Sequence, residues 1–172
     1  MSEAMAQRSG DALADEAATR EFLGFELAAE RYALPLSSVR EIVRVPAVTE
    51  VPRSPGEVLG IFSVRGTVTT LVDLRRKLRM REGEETSRSR VLLVDRGNEV
   101  IGLLVDAVLQ VFRLREDEVE LAAVLGSEAS AYVMGIGRPG SSRAHVGGKG
   151  PAGGDGELLI LLDPIGLLKA YG

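Results

Sequence analysis

Val58 to Leu74 reads VLGIFSVRGTVTTLVDL, two apolar runs that meet at Arg65-Gly66. Val58, Leu59, Ile61, Phe62 and Val64 form the first run. Thr67, Val68, Thr69, Thr70, Leu71 and Val72, rich in β-branched residues, form the second. Glycine takes positive φ without steric cost, so Gly66 marks a tight turn and the stretch is predicted as a β-hairpin with Arg65 at its tip. A guanidinium stays charged at any physiological pH and presents five donors in a rigid fork, which suits Arg65 to docking rather than catalysis.

Outward from this hairpin, Asp73 is placed to cap a short helix, with Leu74 and Leu78 on one side and cations near its C-terminal end. The basic run Arg75 to Arg81, RRKLRMR, is expected to be a solvated helix face rather than an anion or nucleic-acid patch. Glu82, Glu84 and Glu85 lie beside it and no aromatic interrupts it. Upstream, Phe22 to Leu27 and Tyr32 to Leu34 alternate as a second hairpin with a turn at Ala29-Glu30-Arg31. Val39, Ile42 and Val43 fall at helical spacing, which predicts a short helix from Ser38 with those three buried and Arg40, Glu41 and Arg44 in water. Pro46, Pro52 and Pro55 keep the segment 45–55 extended.

Downstream the same grammar returns. Val91 to Val94 and Glu99 to Val105 flank a turn at residues 95–98, and Asp106 to Leu114 reads as a further, half-exposed extended piece. A short helix is expected around Leu121 to Leu125 and a strand at Ala131 to Gly137. The 19 residues from Arg138 to Gly156 include seven glycines and read as a flexible loop grown from a hairpin. Glu157 to Leu162 is the returning strand, and Asp163-Pro164 starts a last helix docked by Ile165, Leu167 and Leu168. Strand, acidic cap and Leu-rich helix thus mirror Leu71 to Leu78. The whole is a mainly β chain. Residues 1–20 form a frayed or disordered leader, a short helix over 11–20 being the alternative, and 21–172 form one domain. Its halves, about 30–82 and 88–172, each close as a small barrel, with terminal elements free to cross between them.

Composition narrows the function. The net charge is −4 and the pI about 5.2, so the cationic excess that displaces counterions from nucleic acid is missing. There is no cysteine, which removes disulfides, thiol nucleophiles and Cys-based metal sites together. No apolar run approaches a membrane span and the start lacks a signal-peptide layout, so a cytoplasmic location is expected. Aromatics are only 4%, too few for a stacking groove, and the core is expected to come from Val, Leu and Ile. The only histidine, His145, reads as a solvated loop residue, and Gly147 to Gly150 as linker rather than a phosphate loop. Asp73 and Asp163 stand where helix caps are needed, and with Asp106 they make no acid–base set. No cofactor or metal is expected, and the chain reads as a binding protein rather than an enzyme.

The pattern FELAAERYALPLSSVREIVRVPAVTEVPRSPGEVLGIFSVRGTVTTLVDLRRKL, followed by GLLVDAVLQV and LLDPIGLL, resembles the CheW-like family of bacterial chemotaxis coupling proteins over about residues 20–170. The resemblance implies two intertwined five-stranded SH3-like β-barrels with short helices and no enzymatic activity. It implies an adaptor between the cytoplasmic tip of chemoreceptors and the regulatory domain of a CheA-type histidine kinase, located at receptor arrays. Carried over by position, the receptor-facing groove comprises Val39, Glu41, Gly60, Arg65, Gly102, Val108 and Val111. Val39, Val108 and Val111 would floor it, and Glu41 and Arg65 would fix register at its rim. The kinase contact falls on an end of one barrel without assigned residues. The chain departs from the family pattern at Ser63-Val64, where Asn precedes Leu-Arg-Gly, and at Thr70, where Pro is usual. Alternatives are a divergent relative that binds only receptor or only kinase and limits or caps the array, and a barrel for small ligands or nucleic acid. The latter needs an aromatic or basic groove.

Overall fold

A computed structural model describes residues 19–122, 131–140 and 157–169. The leader up to residue 18, His145, Gly147 to Gly150 and most of the Gly-rich stretch lie outside these residues. Eleven strands are present among them, in two mixed sheets. They are β1 (Thr19–Leu27), β2 (Glu30–Pro35), β3 (Val39–Arg44), β4 (Val58–Val64), β5 (Thr67–Asp73), β6 (Arg90–Arg96), β7 (Glu99–Val105), β8 (Ala107–Arg115), β9 (Val119–Leu121), β10 (Val133–Gly137) and β11 (Leu159–Leu162). Two short helices, α1 (Leu74–Lys77) and α2 (Pro164–Leu168), follow β5 and β11.

The five-stranded sheet has the order β3-β6-β7-β5-β4, and the six-stranded sheet β8-β1-β2-β11-β10-β9. Apart from the short β9, the two orders match strand for strand. Each begins with three antiparallel neighbours, continues through a parallel pair, β7 with β5 and β2 with β11, and ends in a hairpin. The N-terminal hairpin therefore completes the barrel begun by β8 to β11, while β6 and β7 complete the one begun by β3 to β5. The strands do not divide at the expected boundary between 82 and 88, because parallel pairing takes each returning hairpin back into the other half's sheet.

Three apolar clusters explain the wholly apolar strands. Val91 and Leu93 point into one cluster with Phe62 and Leu71, while Leu92 and Val94 point into another. Leu159 and Leu161 join a third with Phe22, Phe112 and Leu114, while Ile160 and Leu162 face the same central cluster as Leu92. Successive side chains on a strand alternate between faces, so a strand that is apolar throughout has two buried faces. The central cluster, which includes Phe25, Leu34, Val72, Leu103 and Leu167, is shared by both sheets. All four phenylalanines, Phe22, Phe25, Phe62 and Phe112, are buried, so aromatics contribute more to the core than composition alone suggested.

Chain crossings between the sheets are short. Leu36–Ser38, a 3₁₀ turn, carries the chain from β2 to β3, and Asp106 alone separates β7 from β8. Asp106 is held from three sides. Its backbone N–H donates to Glu26 O at 3.0 Å, one carboxylate oxygen accepts from Ala28 N at 2.8 Å, and the Arg75 fork closes on the carboxylate, with Nε at 2.8 Å. The β1–β2 turn consists of Ala28 and Ala29, both at positive φ (50° and 66°), one residue earlier than expected. Two alanines in the left-handed region carry a steric cost, and the bond from Ala28 to Asp106 offsets part of it.

Several local expectations are corrected. Of the helix predicted from Ser38 to Ile42, Ser38 ends the 3₁₀ turn and Val39 to Ile42 lie in strand β3, and residues 19 and 20 of the expected leader belong to β1. Glu116–Glu118 is a 3₁₀ turn and Leu121 ends β9, while residues 123–125 of the expected helix lie outside the described residues. The loop expected from Arg138 starts with anchored residues, because Arg138 N and Gly140 N donate to Glu118, both at 2.8 Å. The Asp73 and Asp163 caps are as expected, accepting from Arg75 N and Ile165 N at 3.0 Å. Ile165, however, is 80% exposed, and only Leu167 and Leu168 dock α2. Within RRKLRMR, Arg75 turns to Asp106, and Lys77 is buried 3.8 Å from Glu57 and 5.2 Å from the Tyr132 ring centroid. A one-turn helix in the seam between two sheets has no wholly solvated face.

The Arg75 and Asp106 side chains are only 19% and 24% exposed. Breaking such a pair strands a charge in a low-dielectric setting, so Asp106→Ala is expected to cost about 2–3 kcal/mol. Urea denaturation reads this directly. A loss no greater than that of an exposed control pair such as Arg40–Asp95 would show that the crossover does not depend on the clamp.

Candidate functional site

β3 and β8 occupy equivalent edges of the two sheets, and each carries an irregularity of the same kind. In β3, Val39 pairs with Val94 and Glu41 with Leu93, leaving Arg40 as the extra residue. In β8, Val108 pairs with Phe25 and Val111 with Leu23, so Leu109 and Gln110 oppose the single residue Gly24. A bulge inserts one residue and shifts the alternation by one position. Val39 and Ile42 therefore share a face although three apart, and so do Val108 and Val111. Their cross-strand partners Val94, Leu92, Phe25 and Leu23 all belong to the central cluster. Val39 and Val108 pack against that cluster, whereas Ile42 and Val111 extend beyond it and remain 42% and 43% exposed.

The same bulge accounts for the helical spacing of Val39, Ile42 and Val43 in the sequence. Ile42, expected in a core, stands instead on the surface beside Val39, and sequence reasoning did not place it among the site residues. The signal was present in the repeated pattern V-x-x-I at 39–42 and V-x-x-V at 108–111.

Arg65 lies in the two-residue turn between β4 and β5, at φ 49°, followed by Gly66 at φ 81°. Val64 pairs with Thr67, so the turn closes tightly with Ser63 and Val64 in place. Thr70 pairs with Ile61 on one side and Ile101 on the other, an inner-strand position where its N–H is available to a ladder and proline would have none. Arg65 reaches from this turn to Glu41 on β3, with Nη1 to Oε2 at 2.6 Å and Nη2 to Oε1 at 2.5 Å. β3 and β4 are the two unpaired edges of the five-stranded sheet, so this bidentate pair joins the β3 edge to the hairpin formed by β4. The hydrogen bonds from Arg65 hold the Glu41 carboxyl below its ordinary value and raise Arg65 in turn.

The remaining two candidates lie inside. Gly60, at φ 147°, allows the segment 48–49 to press on β4, and a Cβ there would stand 2.1 Å from Thr49 O. That contact carries the Thr49–Ile61 bridge. Gly102 leaves room for the Phe62 ring, which a Cβ would approach to 3.0 Å. The seven expected residues thus divide three ways. Val39, Val108 and Val111 border the central cluster, Glu41 and Arg65 bind each other on the opposite face of β3, and Gly60 and Gly102 are buried shapers of the five-stranded barrel. Among the described residues no cluster of three His, Asp or Glu side chains could hold a metal ion, and no helix is long and apolar enough to cross a membrane.

These features define a pair of SH3-like β-barrels built on one shared core, with an apolar pair on an edge strand of each. The chain belongs to the CheW-like domain family, whose model matches residues 21–171. The chemotaxis protein CheW of Helicobacter pylori is 28% identical over 130 residues, covering 76% of this chain and 79% of its own length. That of Klebsiella aerogenes is 30% identical over 132 residues, covering 74% and 78%. The crystal structure of the scaffolding protein TtCheW from Thermoanaerobacter tengcongensis is similar with a TM-score of 0.73 at 25% identity, covering 89% of this chain and 94% of that one.

Two outcomes follow from this geometry. Because the folded Glu41 carboxyl is lowered, its pairing stabilises the protein at neutral pH and that contribution fades as pH falls through the folded value, below the ordinary 4.5. A side-chain carboxyl NMR titration should place the Glu41 midpoint under that reference and return it there in Arg65→Ala; an unchanged midpoint would mean no pair forms in solution. Gly60→Ala should lower the melting temperature more than Gly102→Ala, since the first meets backbone at 2.1 Å and the second a ring that can shift.

Proposed function

We propose that this protein is a non-enzymatic adaptor that couples chemoreceptors to a CheA-type histidine kinase, in chemotaxis or a related chemosensory pathway. The observation that carries the reading is the matched pair of edge strands, each with an apolar residue left half in water at the margin of the shared core. Single exposed apolar residues are ordinary, but two such steps at matching edges beside one core suit contact with another apolar surface. The ridge of a receptor helical hairpin supplies one, lying over Val39, Ile42, Val108 and Val111. Glu41 and Arg65 neutralise each other in the free protein. On docking they can exchange this pairing for contacts with the receptor, which makes them a register device more than a source of affinity. Gly60 and Gly102 act indirectly, by setting the shape of the barrel wall behind Glu41. The kinase regulatory domain takes a separate surface, and the protein works in the cytoplasm, at receptor arrays. The names of the relatives support this role, since proteins similar to it are called chemotaxis or scaffolding proteins.

Co-sedimentation with a receptor cytoplasmic-tip fragment and with the kinase, singly and together, tests the proposal. The protein should enter the pellet with each partner and bridge them when both are present. Binding to one partner alone would leave a capping role, and binding to neither would end the adaptor reading. Arg65→Ala should weaken receptor binding while sparing the kinase complex. Equal loss of both, with an altered circular dichroism spectrum, would assign Arg65 to folding instead.

A further inference from the structure

Ile165 is 80% exposed, more than any other large apolar side chain among the described residues. One such residue is ordinary by itself. This one, however, borders a cleft of about 450 Å³ whose wall is mostly apolar, together with Pro164, Lys169, Ser37 of the 3₁₀ turn and Arg96 at the end of β6. The cleft is short of an acceptor. Arg96 Nη1 is enclosed with no hydrogen bond, and the carboxylate that faces it, Glu99, stays 3.8 Å away and 64% exposed. A buried guanidinium N–H without an acceptor is costly. Lys169 is exposed and forms no ion pair among the described residues. Asp95, the carboxylate at the cleft itself, is answered by Arg40 at 2.8 Å. Arg40, Arg96 and Lys169 thus stand against Asp95 and Glu99, which leaves one cation over.

What can fill the cleft follows from where β1 begins. β1 pairs with β2 only from Phe22, opposite Pro35, so Thr19, Arg20 and Glu21 overshoot it. With Pro35, Leu36 and Ser37 these three border a second cleft of about 450 Å³, and Ser37 belongs to both. The eight residues that lead into β1, DALADEAA at 11–18, carry Leu13 as their only large apolar residue, and Asp11, Asp15 and Glu16 give them three carboxylates and no cation. An extended chain spans up to about 3.3–3.6 Å per residue, so Leu13, six residues before Thr19, reaches up to about 20 Å, enough to pass Ser37 and enter the cleft beside Ile165. We propose that residues 11–18 fold back over Ser37 and occupy this cleft, with Leu13 against Ile165 and Pro164 and the carboxylates of Asp15 and Glu16 closing on Arg96 and Lys169. The segment then supplies the missing acceptor, covers the apolar rim of α2 and ties the start of β1 to the turn between β6 and β7. It needs little affinity of its own, because the short connection to Thr19 holds it at a high local concentration.

The chain has no cysteine, so paired substitutions introduce its only thiols. Ala14→Cys with Ser37→Cys, made in the full chain, leaves Leu13, Ile165 and the charged groups in place. In a glutathione redox buffer this pair should close to an intrachain disulfide about tenfold more favourably than the same pair carrying Asp15→Lys and Glu16→Lys, the effect expected of two exposed ion pairs turned repulsive. Leu13→Ser should reduce closure as well, and Arg96→Glu with Lys169→Glu should restore it to the chain that carries the two new lysines. If circular dichroism shows that the cleft variant does not fold, the substitutions at 13, 15 and 16, which alter no described residue, decide the matter alone. Equal closure in every variant would reflect a loose tether and overturn the inference. A disulfide between chains that grows with protein concentration would place the segment in the cleft of a second copy and overturn docking within one chain. Loss with Leu13→Ser but none with the two lysines would overturn the part assigned to Arg96 and Lys169.

Discussion

The central apolar cluster is the constraint on which the rest of the molecule depends. It draws on β1, β2, β5, β6, β7, β11, α1 and α2, so neither sheet has an independent inner core on that side. Burying a Leu or Phe side chain is worth about 1.5–3 kcal/mol, and the cluster includes Phe25, Leu34, Leu74, Leu92, Leu103, Leu162 and Leu167, all essentially without exposure. Separating the barrels would return those side chains to water. The two barrels are therefore one folding unit, although each also encloses a smaller cluster of its own.

Burial on both faces creates a second requirement. A strand such as VLLV at 91–94 is apolar whichever way it is turned, so the usual penalty that fixes strand register is weak. Register is supplied instead by features that are not apolar. Two-residue turns at Ala28-Ala29 and Arg65-Gly66 fix the hairpins, bulges at Arg40 and opposite Gly24 fix the edges, and the contacts of Asp106 with Glu26, Ala28 and Arg75 fix the crossing between sheets.

Equivalent topology in the two barrels also explains the matching apolar steps at their edges. β3 and β8 are first strands of their respective barrels and lie at matching sheet edges, so both bulges shift an apolar residue past the limit of the central cluster. Exposed Arg44 follows Ile42 as Arg113 follows Val111, whereas the pairing of Arg65 with Glu41 belongs to the five-stranded barrel. A partner lying over both edges would meet similar apolar steps with different charges beside them, which gives it one orientation rather than two.

The hairpin at Val58 to Asp73, both acidic helix caps, the doubly buried strands and the class of protein were legible in the residues alone, because each depends on local residue chemistry or on a motif contiguous in the chain. The sequence also singled out Arg65, Val39, Val108 and Val111. Misreadings arose where one local pattern serves two structures. Spacing by three at Val39 and Ile42 is shared by a helical turn and a bulged strand, and only pairing to β6 selects the second. A basic run beside acidic residues reads as solvated until α1 is seen to lie in the seam, where Lys77 is buried and Arg75 meets a carboxylate 31 residues away. The distribution of strands between sheets was likewise decided by tertiary structure, since parallel pairing of β5 with β7 and of β2 with β11 joins residues distant in sequence. Long-range pairing has no local signature, and so the shared core and the crossing at Asp106 became legible only in three dimensions.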